Sequence, residues 1–138
     1  MWGIRLSYEF RNDKWYTVMH NIDYGNDNAD EVTFECSITD VPVAILLTTW
    51  EDLVIELSDK EKELYGLKEE IFNKEQDIIR NTDFNKLYNA NNKDVRKEHL
   101  DKVLADNYVA KKDLEFRIDF IKQYIPLLKE VIRCKGVN

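Results

Sequence analysis

Two histidines and two cysteines are the side chains best suited to metal or nucleophilic chemistry in this 138-residue chain, and their spacing supports neither. His20 falls in an alternating segment and His99 between Glu98 and Asp101. Neither has a second His or Cys at metal-ligand spacing. Cys36 lies on the apolar side of another alternating segment and reads as inert, because a reactive thiol needs an accessible, electropositive setting. Cys134, between Arg133 and Lys135, comes closer to that setting. Asp23, Asp27, Asp30 and Glu31 cluster in sequence but lack the ligand order and glycine of a calcium loop. There is no glycine-rich phosphate cradle. The expectation is no catalytic residue, no metal and no cofactor.

Aromatic residues are over-supplied near the start: Trp2, Tyr8, Phe10, Trp15, Tyr16, Tyr24 and Phe34. Trp15 and Tyr16 are adjacent, so on a strand they face opposite sides and one of them leaves the core. Residues 1–41 carry three Lys/Arg against eight Asp/Glu, 42–93 seven against eleven, and 94–138 ten against eight. An acidic head repels phosphate, which argues against direct nucleic-acid binding and fits a basic groove on another protein. An exposed aromatic beside acidic residues is what a protein-binding surface contains. The expected contact set is Trp15, Tyr16, Asp23, Tyr24, Asp27, Asp30 and Glu31.

These residues need a scaffold, and alternation supplies it. Trp2, Ile4, Leu6, Tyr8 and Phe10 share one face, Arg11–Lys14 reads as a turn, and a second strand carries Tyr16, Val18, His20 and Ile22 on one side. Tyr24–Asp30 reads as a loop, and a third strand spans about Val32–Ile38. The expected head is a three-stranded antiparallel sheet over residues 1–41.

Residues 42–138 read as a helical hairpin with its tip at 81–93, the whole forming one cooperative domain. Trp50, Leu57, Leu64, Ile71 and Ile78 recur every seven residues, and Leu114, Ile118, Ile121, Ile125, Leu128 and Ile132 form a second seam. Asp40 is a plausible N-cap before Pro42. A continuous helix from there to about Arg80 is favoured. The competing reading is a strand at 43–47 with a helix starting at Thr48 or Thr49, capped through Thr48 and Glu51. The second helix is expected from Asp94 to about Arg133, with Pro126 kinking it or ending it. Glu, Lys and Asp interleaved along its outer faces read as salt-bridge lacing.

The fold class expected is therefore α+β: a three-stranded antiparallel sheet packed on the base of a long antiparallel two-helix coiled-coil hairpin. Ile45, Ile55, Phe116, Phe120 and Leu127 lie off the seams, and an apolar patch of that kind points to a homodimer. No segment holds the eighteen or so uninterrupted apolar residues of a membrane span. The opening residues Met1-Trp2-Gly3-Ile4-Arg5 do not form a secretory leader. A reduced, cytoplasmic protein with free thiols is expected.

The stretch from Asn81, NTDFNKLYNANNKDVRKEHLDKVL, and the later DLEFRIDFIKQYIPLLKEVI resemble small helical-hairpin proteins of bacteriophages of low-GC Gram-positive bacteria, encoded near recombination and replication genes. The resemblance covers residues 81–132 and implies an early, intracellular phage protein that acts by binding. It supplies no functional residues. The function expected is inhibition of a host nucleic-acid-processing or defence nuclease, in the manner of an anti-CRISPR. The alternative is a recombination or replication accessory factor that scaffolds a DNA-bound complex.

Overall fold

Alternation becomes three antiparallel strands, β1 (Trp2–Arg11), β2 (Lys14–Asp23) and β3 (Asn26–Cys36), in the order β1-β2-β3. A computed structural model describes the backbone of residues 2–23 and 26–136, and side chains for 5–20 and 31–136. Asn12 and Asp13 make the first turn with φ of 52° and 64°. Two consecutive positive φ values are the geometry whose twist matches that of paired strands, and Asn and Asp tolerate it. This turn sets the register: Phe10 pairs with Trp15, Tyr8 with Thr17 and Leu6 with Met19. Across β2 the same rows continue to Cys36, Phe34 and Val32.

That register keeps Tyr16, Val18 and His20 on one side of the second strand, as their alternation implied, and sets Met19, Thr17 and Trp15 beside Leu6, Tyr8 and Phe10 on the other. The third strand is displaced. It starts at Asn26, so Asp27 and Asp30 stand in a strand rather than in a loop, and it ends at Cys36. A one-turn 3-10 helix, Ile38–Asp40, follows, because Ser37 caps it and Asp40 folds back on the Ser37 amide at 3.2 Å. Asp40 therefore closes this turn and does not cap the long helix.

Four helices follow: α1 (Val43–Asn81), α2 (Phe84–Tyr88), α3 (Lys93–Val103) and α4 (Ala105–Cys134). The Pro42 carbonyl accepts from Ile45 and Leu46, so α1 starts there. Thr48 donates its hydroxyl to the Ala44 carbonyl at 3.0 Å, an in-helix contact that excludes it as a cap. Residues 43–47 are helical. Asp83 caps α2, and Asn92 caps α3 with its side chain 2.9 Å from the Val95 amide. The second long helix is not continuous. Leu104, with φ −107° and ψ 21°, separates α3 from α4, although its amide still reaches the Leu100 carbonyl at 2.8 Å. Pro126 sits inside α4 without ending it.

The architecture is α+β, with α1 and α4 long and packed together. The chain divides into two compact units, Met1–Leu53 with Tyr124–Asn138, and Val54–Gln123. In the first, Trp15 is 4% exposed and its indole nitrogen donates to the Tyr124 hydroxyl at 2.6 Å. Phe10 stacks on Tyr124 with ring centroids 4.8 Å apart. Val41, Leu46, Leu53, Leu128 and Ile132 complete its buried set with Val18. Lys135 ties the end of this unit to the Thr39 carbonyl at 2.7 Å.

In the second unit, Ile71, Leu114, Ile118 and Ile121 are buried on facing stretches of α1 and α4. Glu56 pairs with Arg117 and Glu75 with Tyr108, so rising numbers on α1 meet falling numbers on α4 and the helices run antiparallel. At the α2–α3 end, Phe84 is buried, His99 meets its ring edge-on at 5.4 Å, and Tyr88 and His99 bond at 2.7 Å. Both aromatic side chains and the histidine are thereby assigned to packing.

Candidate protein-interaction surface

A sheet of three strands has two edges, and β1 and β3 occupy them. Side chains in the middle of β2 are shielded by both neighbours, which leaves Trp15, Thr17 and Val18 buried. Edge side chains lack that second neighbour. Leu6 is 51% exposed, Val32 54% and Phe34 46%, although their alternation is that of core residues. Leu6, Met19 and Val32 form one cross-strand row, and Tyr8, Thr17 and Phe34 the next. The apolar face is thus closed at its Trp15 end and open along its edges. Glu31, Glu35 and Glu9 point to the opposite face and are exposed, so β3 offers apolar side chains on one side and carboxylates on the other.

The opposite face carries one polar relay. Ser7 Oγ lies 3.0 Å from His20 Nε2, and a Glu31 carboxylate oxygen lies 3.9 Å from His20 Nδ1. The register imposes it, since His20 pairs with Arg5 on one side and Glu31 on the other. The ring is held between its neighbours away from the Leu6–Val32 row.

The expected contact residues separate. Trp15 leaves the set, because its pairing with Phe10 points it under Tyr124 and into the core. Tyr16 is half-buried with the Arg11 guanidinium 4.8 Å above its ring. Glu31 is exposed and close to His20. Asp23, Asp27 and Asp30 have strand backbone, with Asp23 paired to Asn26 and Asp30 to Asn21, and their side chains lie outside the described residues. Tyr24 lies outside them altogether. The residues that spacing missed as surface are Leu6, Val32 and Phe34. The alternation marked all three as core, and nothing in a strand's own pattern shows where its cover stops.

Of the residues expected at a dimer contact, Ile55, Phe116 and Leu127 are exposed, Phe116 at 76%, while Ile45 and Phe120 are half-buried. The Arg117 guanidinium covers part of Phe120 at 5.4 Å. Cys36 is half-buried and Cys134 exposed, its sulfur 3.6 Å from a Glu130 carboxylate oxygen. Among the described residues no group of three or more His, Cys, Asp or Glu is placed to hold a metal ion. No described helix is long and apolar enough to cross a membrane.

Two polar pairs fix the α1–α4 contact in the Val54–Gln123 unit. Arg117 grips Glu56 through Nε and Nη2 at 2.5 and 2.8 Å, the forked geometry that suits a guanidinium. This hydrogen bond outweighs partial desolvation and, with the charges of Arg117 and Lys60, holds the Glu56 carboxyl below its ordinary 4.5. Its folded value lies below its unfolded one, so the stabilisation is complete above pH 4.5 and is lost as pH falls through the lowered folded value. Glu56→Gln should therefore lower the melting temperature at neutral pH, and the gap from the parent should close on acidification below that point. A gap that stays constant into acid would show that the pair contributes through packing alone. Tyr108 donates to Glu75 at 3.0 Å, and burial, that bond and the Glu75 and Asp101 charges push its phenol up to about 12.

Comparison with family models, with curated proteins and with solved structures gives no match.

Proposed function

We propose that this protein is a non-enzymatic binding module of bacteriophage type that occupies a basic groove on a host nucleic-acid-processing or defence nuclease and blocks it. The observation that carries this reading is β3 itself, an edge strand with Val32 and Phe34 about half exposed and Glu31 and Glu35 alternating with them. Apolar anchors inside a rim of charge are the anatomy of a protein interface. A head with three cations against eight acids meets a groove built to hold phosphate. On this reading the protein works in the host cytoplasm, needs no cofactor, and self-associates. On the same reading the α1–α4 pair is a coiled coil.

The test is affinity capture from cells that carry a defence nuclease, followed by that nuclease's cleavage assay with purified protein added. A stoichiometric complex and loss of cleavage are expected. Replacing Asp23, Asp27 and Asp30 by Lys, or Phe34 by Asp, should abolish both while leaving helicity unchanged, because all four positions lie in the sheet and none in a helix. Association should slow as salt rises, since screening acts beyond about 8–10 Å at physiological ionic strength. The second reading rests on residues 94–138, where ten cations face eight acids. A salt-sensitive gel shift with DNA, and no inhibition of any nuclease, would replace the inhibitor by a recombination or replication accessory factor that scaffolds a DNA-bound complex.

A further inference from the structure

We infer that β1 is the dimer edge: two copies of this chain pair antiparallel through their first strands, about a twofold axis at Ser7, to make one six-stranded sheet. This rests on the self-association proposed above but moves the contact from the helices to the sheet.

Backbone parity comes first. The two-residue turn at Asn12 and Asp13, with both φ positive, makes Arg11 and Lys14 a hydrogen-bonded pair. Bonded and non-bonded pairs alternate along an antiparallel ladder. Glu9, Ser7 and Arg5 therefore spend their backbone groups on β2, and Phe10, Tyr8, Leu6 and Ile4 turn theirs to the outer edge. A twofold at Ser7 sets Leu6 opposite Tyr8 and Ile4 opposite Phe10 of the second copy, so outward groups meet outward groups.

Side-chain chemistry then selects this register. The same axis places Arg5 opposite Glu9 of the second copy, twice by symmetry. Sliding by two residues in one direction opposes Arg5 to Arg11, and in the other it leaves Arg5 facing Ser7 and Glu9 facing Gly3. Opposite charges facing across a pair stabilise it and like charges destabilise it. The other edge cannot do this. β3 carries Asp27, Asp30, Glu31 and Glu35 and no cation, so its own copy repels it. One edge of the sheet attracts itself and the other refuses.

Closing on β1 also unites the open apolar rows. Val32, Met19 and Leu6 of one copy continue into Tyr8, Thr17 and Phe34 of the other, and Leu6 loses its exposed flank. Both β3 edges remain free at the two ends of the sheet, where the proposed partner would bind.

Sedimentation across a concentration series tests the pairing. The parent should reach a dimer. Arg5→Glu alone and Glu9→Arg alone set like charges face to face and should weaken dimerisation about tenfold or more, and the double swap Arg5→Glu/Glu9→Arg should restore it. Restoration in the double variant excludes misfolding as the cause of the single losses. Phe116→Asp should leave the dimer intact. If Phe116→Asp disrupts it and the charge variants do not, the dimer is helical and the β1 edge is wrong. A parent that stays monomeric overturns self-association and this pairing together, without touching nuclease binding. A ladder of species above the dimer would mean β1 pairs with β3, and would overturn the closed pairing.

Discussion

Trp15→Ala should lower the free energy of unfolding by about 3–5 kcal/mol, the usual cost of removing a large aromatic from a packed core. Trp15 is almost wholly buried, its ring centroid lies 5.0 Å from that of Phe10, and its indole nitrogen donates to Tyr124 at 2.6 Å. The substitution opens a cavity and removes that donor in one step. Trp15→Phe separates the two losses. It should cost less, and it should raise the Tyr124 phenol further. Burial already pushes Tyr124 up and the Asp13 charge adds to this, while the Trp15 hydrogen bond acts in the opposite direction. Ultraviolet titration of the tyrosines reads the second effect, and urea unfolding the first. Trp50 is the control. Its indole N–H is buried without a hydrogen-bond partner among the described residues, and an unmet donor costs about 1–3 kcal/mol. Trp50→Phe removes that penalty and should cost clearly less than Trp15→Phe. Equal losses at the two positions would mean that the Trp15–Tyr124 bond contributes nothing.

The second large effect is in the Val54–Gln123 unit. Ile121→Ala should cost about 2–5 kcal/mol, and Leu64→Ala roughly half as much. Ile121 is fully buried, whereas Leu64 is only half covered on α1. Denaturant titrations of the two variants give the comparison directly. Equal costs would show that Leu64 is covered in solution by something more than its own chain, and would move the dimer contact to the helices. That result would agree with disruption by Phe116→Asp, so the two experiments check each other.

Much of the scaffold was legible because its signals are local. A seven-residue repeat needs only α1's own sequence to be seen, and the buried second seam, from Leu114 to Ile132, follows the predicted spacing along α4. The favoured continuous start of α1 held, with Thr48 bonded inside the helix. Where the reading failed, a nearby competitor won: Ser37 took Asp40 into a tighter turn, and Leu104 interrupted a helix whose apolar spacing runs straight through it. The seam on α1 also proved uneven. Leu46 and Leu53, on the neighbouring heptad line, are buried more deeply than Trp50 or Leu57.

The candidate surface was less legible. Spacing nominated Trp15 or Tyr16 as the ring that leaves the core, and the turn decided between them. Two positive φ values at Asn12 and Asp13 pair Phe10 with Trp15, which commits Trp15 to the Tyr124 side. Shifting the register by one residue would have reversed that assignment along the whole strand. Phe34 shows the complementary error, a residue patterned for the core and left half exposed at an edge.

By itself the sequence determined the classes of element, the acidic head, the two seams and the absence of ligand-spaced His and Cys, because each depends on residues close together in the chain. Only the tertiary structure decided which face of β2 meets Tyr124, that β1 and β3 are both edges, and that Leu6, Val32 and Phe34 lack cover. Periodicity tells which side of a strand is apolar. What lies against that side is supplied by atoms distant in sequence, such as the Tyr124 ring over Phe10, and no local pattern encodes where such cover ends.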